Sequence, residues 1–333
     1  MAIDLLNIQP HKVSKDLSGY ITYIYGAPKT GKTTLASQMP DHLILAFESG
    51  YRALPGVIAY DITSWSKMRE VYRELKKPEM LEHFKCIIID TVDYAADYCQ
   101  KYVCNQKGID ALGDLGYGKG WTAFKEEFDD VFHGLTQLGY AVFFIAHDKE
   151  STVKDPVTGE DKLIIRPAVT DSSNKIIENM ADIYGYAHSV RNSDGTKSVK
   201  LTLRDNTDTV RCGCRFKMID PEIDFNYQAL CNAISKAIDA EAMATDNKFV
   251  TEEKVVATPI IENYDYDALV KEFGELVGTL MNSNQAYFAP KITSIVDKYL
   301  GKGKKVSEAT IDQAEFIHLI NQEIKEDLMP KKA

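Results

Sequence analysis

The sequence has no excess of positive charge: 39 lysines and arginines stand against 49 aspartates and glutamates, a formal net charge of -10. Without a global basic field the chain does not bind nucleic acid indiscriminately, so any such contact has to come from a local patch. Long apolar runs are missing too. No window approaches the ~18 uninterrupted apolar residues of a membrane span, and the opening MAIDLLNIQPHKVSKD lacks the basic-then-apolar order of a secretory signal. Cysteine is scarce and scattered. Cys86, Cys99, Cys104, Cys212, Cys214 and Cys231 show no disulfide-scaffold spacing, and a chain of 333 residues is too large to need stapling. These absences predict a soluble cytoplasmic protein with no membrane partner.

What is present is enough apolar content, 44%, for a substantial core. Runs rich in β-branched and aromatic residues recur at 20–25 (YITYIY), 43–47 (LILAF), 86–89 (CIII) and 141–145 (AVFFI), and helix-like stretches at 32–39, 65–77, 93–106 and 121–138 separate them. Short, continuously apolar strands alternating with helices indicate an α/β core whose mainly parallel sheet is covered on both faces. After residue 180, IYGYAHSVRNSDGTKSVKLTLRD reads as two strands joined at Ser193-Asp194-Gly195, a β-hairpin extending that sheet. Residues 222–240 look helical. The polar stretch 241–263 reads as a linker, and 264–333 carries helical apolar spacing over 265–281, 286–300 and 307–328. The expected domains are therefore a core at 1–240 and a small helical C-terminal domain at 264–333.

The chemistry is concentrated in IYGAPKTGKTTLA. Gly26, Ala27, Pro28, Lys29, Thr30, Gly31, Lys32 and Thr33 satisfy G-x-x-x-x-G-K-[ST] between a predicted strand and a predicted helix, with Thr34 following. Glycines let the backbone wrap phosphate oxygens, Lys32 supplies a positive charge, and the Thr33 hydroxyl can ligand Mg²⁺. A nucleoside triphosphate, ATP, is the expected cofactor. In CIIIDTVD, Asp90 follows four apolar residues, and a buried acid there needs a cation or strong donors. Through water, Asp90 is the natural second metal group, while Asp93 suits a helix cap better. LILAFESG puts Glu48 at the end of another apolar strand, where position alone does not separate a catalytic glutamate from a solvated one.

The order of these elements, strand-P-loop-helix, strand ending in Glu48, strand ending in Asp90, strand ending in FFIAHDKE and then a hairpin, resembles the RecA-like ATPase core. The stretches YGAPKTGKTTLA, FESGY, DLGYGKGW and RCGCRF further resemble the phage nucleotide-binding proteins of AAA type that are reduced to such a core, the Sak-type single-strand annealing proteins and recombinases. The resemblance covers about residues 15–238. It implies that Glu48 activates the attacking water and that His147 senses the γ-phosphate, at a position where many RecA relatives carry glutamine. A hydrogen-bonded structural histidine is the other reading of His147.

The resemblance also implies single-stranded DNA as a partner, held by two loops, and a homo-oligomer, ring or filament. The matching segments are 105–121, with Lys107, Tyr117, Lys119 and Trp121, and 149–175, with Lys154 and Arg166 among its cations. Mixed charge and aromatic surface of this kind can hold phosphates and stack bases, although ordinary solvated loops have the same composition. Arg204, Arg211 and Arg215 surround the last predicted strands, and strand alternation puts Arg211 and Arg215 on one face. Arg215 is the candidate to reach a neighbouring subunit's γ-phosphate, with a hairpin ion pair to Asp205 or Asp208 as the competing reading. Cys212 and Cys214 lack a second ligand pair and read as packing thiols. In the C-terminal domain Lys298, Lys302, Lys304 and Lys305 cluster before Ser307, a candidate helix cap, and offer DNA or a single-strand DNA-binding protein a contact; a solvated inter-helix loop fits equally.

The expectation is an ATP- and Mg²⁺-dependent ATPase that binds single-stranded DNA and promotes annealing or strand exchange in phage recombination, in the host cytoplasm. The alternative is a nucleotide-gated loading or partner-recruiting factor that hydrolyses slowly. A small-molecule kinase is disfavoured because no arginine-rich lid is evident.

Overall fold

The computed structural model describes residues 10–155, 158–243, 249–252 and 264–329, and its contacts divide into two units, Met1–Ile260 and Ile261–Ala333. In chain order the first unit holds β1 (Val13–Ser14), β2 (Thr22–Gly26), α1 (Lys32–Ala36), β3 (His42–Ala46), β4 (Ala59–Asp61), α2 (Trp65–Leu75), α3 (Pro78–His83), β5 (Cys86–Asp90), α4 (Val92–Lys107), α5 (Lys119–Gln137) and β6 (Ala141–Ala146). It continues with β7 (Asp148–Lys154), β8 (Asp161–Pro167), α6 (Asp171–Met180), β9 (Ile183–Arg191), β10 (Lys197–Thr202), β11 (Gly213–Cys214), β12 (Glu222–Asp224), α7 (Tyr227–Met243) and β13 (Val250–Thr251). No helix among the described residues is long and apolar enough to cross a membrane.

The main sheet runs β12-β10-β9-β2-β6-β5-β3-β4, with β11 also on β9. From β9 to β4 every pairing is parallel; β10 and β11 join β9 antiparallel. Strand side chains alternate between two layers, which is why the strands read as continuous apolar runs. Tyr23, Tyr25, Ile87, Ile89, Val142 and Phe144 meet α2, α4, α5 and α6 through Trp65, Val103, Phe128 and Ile177. Ile24, Ile88, Phe143 and Ile145 meet α1 and α7 through Leu35, Leu230 and Ile234. An α/β core with a mainly parallel sheet, an appended hairpin (β9–β10) and a helical C-terminal unit is thus the architecture that the sequence leads one to expect.

Four readings are corrected. The segment 149–175, taken as a long loop, is largely regular: β7 and β8 pair antiparallel from Asp148↔Pro167 to Lys154↔Asp161, and α6 follows. The first segment is shorter than expected, because α4 runs to Lys107 and α5 begins at Lys119. Residues 222–224 form an edge strand ahead of the helix. Within 241–263, α7 extends to Met243 and Val250–Thr251 pairs in parallel with Val13–Ser14; the rest of that stretch lies outside the described residues.

In the second unit α8 (Tyr266–Leu300) is continuous except for non-helical Asn284, and α9 spans Ala314–Asp327. Leu276, Leu280, Ile292 and Val296 pack on Ile317, Ile320 and Ile324. Ser307 lies inside a single 3-10 turn, Val306–Glu308, so it caps no α-helix. Lys302, Lys304 and Lys305 are exposed, whereas Lys298 pairs with Glu323 at 2.6 Å.

Gly120, in the GYGKGW stretch, has a packing reason for lacking a side chain: a Cβ there would lie 2.1 Å from the Leu112 carbonyl oxygen. Gly120→Ala is expected to cost about 1–3 kcal/mol by forcing the 3-10 turn Leu112–Asp114 off α5, read as a lower denaturation midpoint. Unchanged stability would show that the turn relaxes freely.

Candidate active site

Parallel register brings four strand ends to one edge. Ala46 pairs with Asp90, Asp90 with Ile145, and Tyr25 with Ala146, so the loops after β2, β3, β5 and β6 all leave from the same rim. This is where an open α/β sheet builds its ligand crevice. A cleft of about 430 Å³ lies there, lined by Pro28, Lys29, Gly31, Lys32, Thr33, Thr34, Glu48, Ser49, Gly50, Asp90 and His147. Residues chosen from four separate stretches of sequence therefore share one cavity.

The phosphate loop is anchored by close approach. A Cβ on Gly26 would fall 2.2 Å from the Ala187 carbonyl oxygen of β9, so only glycine lets β2 end against its neighbour. Lys32 is buried, and its Nζ donates to the carbonyls of Gly26 at 2.7 Å and Ala27 at 2.8 Å. Burial lowers its pKa, while Asp90, Asp148, Glu48 and Asp93 oppose that shift.

Asp90 is almost wholly buried at the end of β5. The Thr33 hydroxyl donates to its Oδ2 at 2.8 Å, and its Oδ1 has no hydrogen-bond partner. Burial pushes its pKa up to about 6 despite that hydroxyl, with Glu48 adding to the rise and Lys32 and His147 opposing it. The chain leaves Asp90 through a cis peptide to Thr91. Beside the pair is a small empty cradle: a Cβ on Gly50 would sit 3.6 Å from both Thr33 Oγ1 and Asp90 Oδ2 and 3.7 Å from Glu48 Oε1. An unpartnered buried carboxylate oxygen, a hydroxyl and an oxygen-lined space fit Mg²⁺, which takes oxygen ligands and uses few from protein. Thr33 and Asp90 are the residues that would hold it, and when bound it would supply positive charge to the phosphate oxygens.

His147 follows β6. Its Nδ1 lies 2.8 Å from Asp93 Oδ2, its backbone N–H donates to Asp93 Oδ1 at 3.3 Å, and its Nε2 is 3.9 Å from Glu48 Oε1. Asp93 is the residue that sequence reasoning misassigned. Thr91, not Asp93, holds the N-cap position of α4, and Asp93 turns across to the histidine. The local sequence DTVD carries no signal for this contact, which the β5–β6 pairing creates.

The remaining candidates fall into two groups. Trp65, just past β4, donates its indole N–H to Glu127 at 2.7 Å, and the Tyr72 hydroxyl lies against Gly134, so α5 runs beside α2 away from the strand-end rim. The first turns of α5, with Lys119 and Trp121, thus reach ~12 Å past Glu127 on the rim side. Tyr117 is fully exposed there with Trp121 partly so, and no ion pair among the described residues takes Lys107 or Lys119. By contrast Lys154 pairs with Asp161 at 2.7 Å and Arg166 with Asp171. Lys154 thus braces the β7–β8 hairpin and Arg166 ties β8 to the start of α6, so neither sits on an open loop.

Arg215 is placed elsewhere. Its guanidinium donates to the carbonyls of Ala181 and Asn179 and pairs with Asp182 at 3.2 Å, not with Asp205 or Asp208. Because Cys214 pairs with Ile183 and Ile183 with Thr22, Arg215 belongs to the start of β2, roughly 13 Å of strand from the phosphate loop. Strand alternation does not relate it to Arg211, since β11 is only Gly213–Cys214. Burial raises the Cys212 and Cys214 thiols to about 11, as packing thiols require.

Two outcomes test the metal pair. Asp90 is protonated more readily in the fold than in the unfolded chain, so the native state loses stability as pH rises from about 4 to about 6. Asp90→Asn lacks this penalty: the nucleotide-free variant should melt a few degrees above wild type at pH 7.5, the gap closing near pH 4, while Mg²⁺-dependent ATP turnover is lost. Gly50→Ala makes only ordinary contacts and should keep the wild-type melting temperature, yet lower Mg²⁺-dependent phosphate release at least tenfold. Full turnover in that variant would mean the cradle is unused.

Residues 18–211 match the family described as AAA domain. Over 331 residues, 98% of this chain and 99% of the relative, the sequence is 30% identical to the SPbeta prophage-derived uncharacterized protein YorG of Bacillus subtilis strain 168. A solved KaiC-like protein from the hyperthermophilic archaeon Pyrococcus horikoshii OT3 aligns over 62% of this chain and 86% of its own, with 14% identity and a TM-score of 0.35. The matched segment takes in the phosphate loop, Glu48, Asp90, Asp93 and His147 and exceeds half the chain, so the protein belongs to the AAA domain family of P-loop NTPases.

Proposed function

We propose that the protein is an ATPase that binds single-stranded DNA and acts, as a homo-oligomer, in annealing or strand exchange during phage recombination. The observation that carries the hydrolytic part is the convergence of Lys32, Thr33, Glu48, Asp90 and His147 on one cleft. Lys32 exchanges the Gly26 and Ala27 carbonyls for phosphate oxygens. Thr33 and Asp90 hold Mg²⁺. Glu48, whose Oε1 borders the Gly50 cradle, orients the attacking water and draws off its proton. His147, within reach of Glu48 and open to the same cleft, responds to the terminal phosphate.

The DNA part rests on Tyr117, Lys119 and Trp121, exposed at and just before the start of α5. A stacking ring beside cations that no ion pair takes among the described residues suits single strands, and the acidic remainder of the chain keeps binding local. A prophage-derived relative matching along nearly the whole chain supports the phage setting. The exposed Lys302, Lys304 and Lys305 of the second unit are proposed as a contact for a single-strand DNA-binding protein, and Arg215 as a residue that would have to exchange its carbonyl partners before it could serve a neighbouring subunit.

ATP hydrolysis should rise with added single-stranded DNA and vanish in Lys32→Ala. Combining Tyr117→Ala with Lys119→Ala should weaken single-strand affinity about tenfold or more and flatten its salt dependence. Turnover indifferent to DNA would move the protein to the loading or partner-recruiting reading.

A further inference from the structure

The acid that grips His147 has no part in the hydrolytic scheme above. Asp93 is mostly buried in the first turn of α4, its carboxylate using one oxygen on the imidazole Nδ1 and the other on the backbone N–H of His147. Burial would raise its pKa, but the hydrogen bond and charge of His147 outweigh this and hold it below the usual carboxylate range. An ionised carboxylate only accepts hydrogen bonds, so Nδ1 must carry a proton and the ring presents Nε2 to the cleft. Asp93 also starts from the same strand end as Asp90, with buried Thr91 and Val92 between them.

We propose that Asp93 is a positioning residue for nucleotide hydrolysis, clamping His147 by ring and backbone so that Nε2 faces Glu48 and the terminal phosphate. The proposal rests on the reading of this cleft as an ATPase site. The groups facing the imidazole are Asp93 and the Tyr94 ring from α4, Glu48 beyond β3, Lys32 of α1 and Asp90 of β5. Of these only Asp93 is within hydrogen-bond distance of the ring among the described residues; Glu48 lies 3.9 Å from Nε2. Its hydrogen bond is the main cause of the raised His147 pKa, against the lowering effect of burial.

The test is kinetic and spectroscopic on the full chain. Asp93→Asn should lower kcat for ATP at least tenfold with KM within about twofold, since the phosphate loop is untouched. In nucleotide-free protein the ¹⁵N resonances of His147 should lose the Nδ1-protonated pattern and titrate at lower pH. Asp93→Glu keeps the charge and should recover part of kcat. In a His147→Gln background, Asp93→Asn should cost nothing further. An equal loss on both backgrounds, or an unchanged imidazole signature with unchanged kcat, overturns the clamp. Wild-type protein that turns over no nucleotide overturns the parent reading and this one with it, whereas wild-type turnover with an unaffected Asp93→Asn variant ends this proposal alone.

Discussion

The cleft depends on one hydrogen bond, from the Thr33 hydroxyl to the buried carboxylate of Asp90. It ties the helix that follows the phosphate loop to the neighbouring strand end, and it is the one hydrogen bond that reaches a side-chain oxygen of Asp90 among the described residues. A carboxylate with half its acceptors empty and its pKa driven up to about 6 is costly to keep. β3 and β6 flank β5 in register and fix the backbone of Asp90 at the strand end, with its side chain buried against Thr33. The surrounding acids, Glu48 and Asp93, are arranged around this fixed point and balanced by Lys32 and His147.

Much of the core was legible in sequence because parallel strands covered on both faces must be apolar on both faces. YITYIY, LILAF, CIII and AVFFI announced themselves that way, and the phosphate loop announced itself by spacing. The β7–β8 hairpin did not: its Lys, Glu and Thr side chains are half-solvated, and polarity made it look like loop although the two strands pair in register from Asp148↔Pro167 to Lys154↔Asp161. Short edge strands such as β4 and β12 gave too few residues for any period to show.

At the site, residues at strand ends could be named, but their partners could not. Nothing in DTVD distinguishes an acid that caps its own helix from one that turns to a histidine 54 positions away, because the choice is made by the β5–β6 pairing and not by local preference. The same limit applies to Lys154, Arg166 and Arg215, whose basic character was plain and whose engagement with Asp161, Asp171 and Asp182 was not. Charge is written in the sequence, and its neutralisation is written in the fold.

The lysine of the phosphate loop is seated by the loop that carries it, its Nζ donating to the carbonyls of Gly26 and Ala27. The loop is in effect its own competing ligand. Binding is therefore an exchange of acceptors, and affinity measures the difference between phosphate and peptide oxygen as a seat for one ammonium group. The same two bonds tie the Lys32 ammonium back to the end of β2, so its charge stands at a fixed place over the loop.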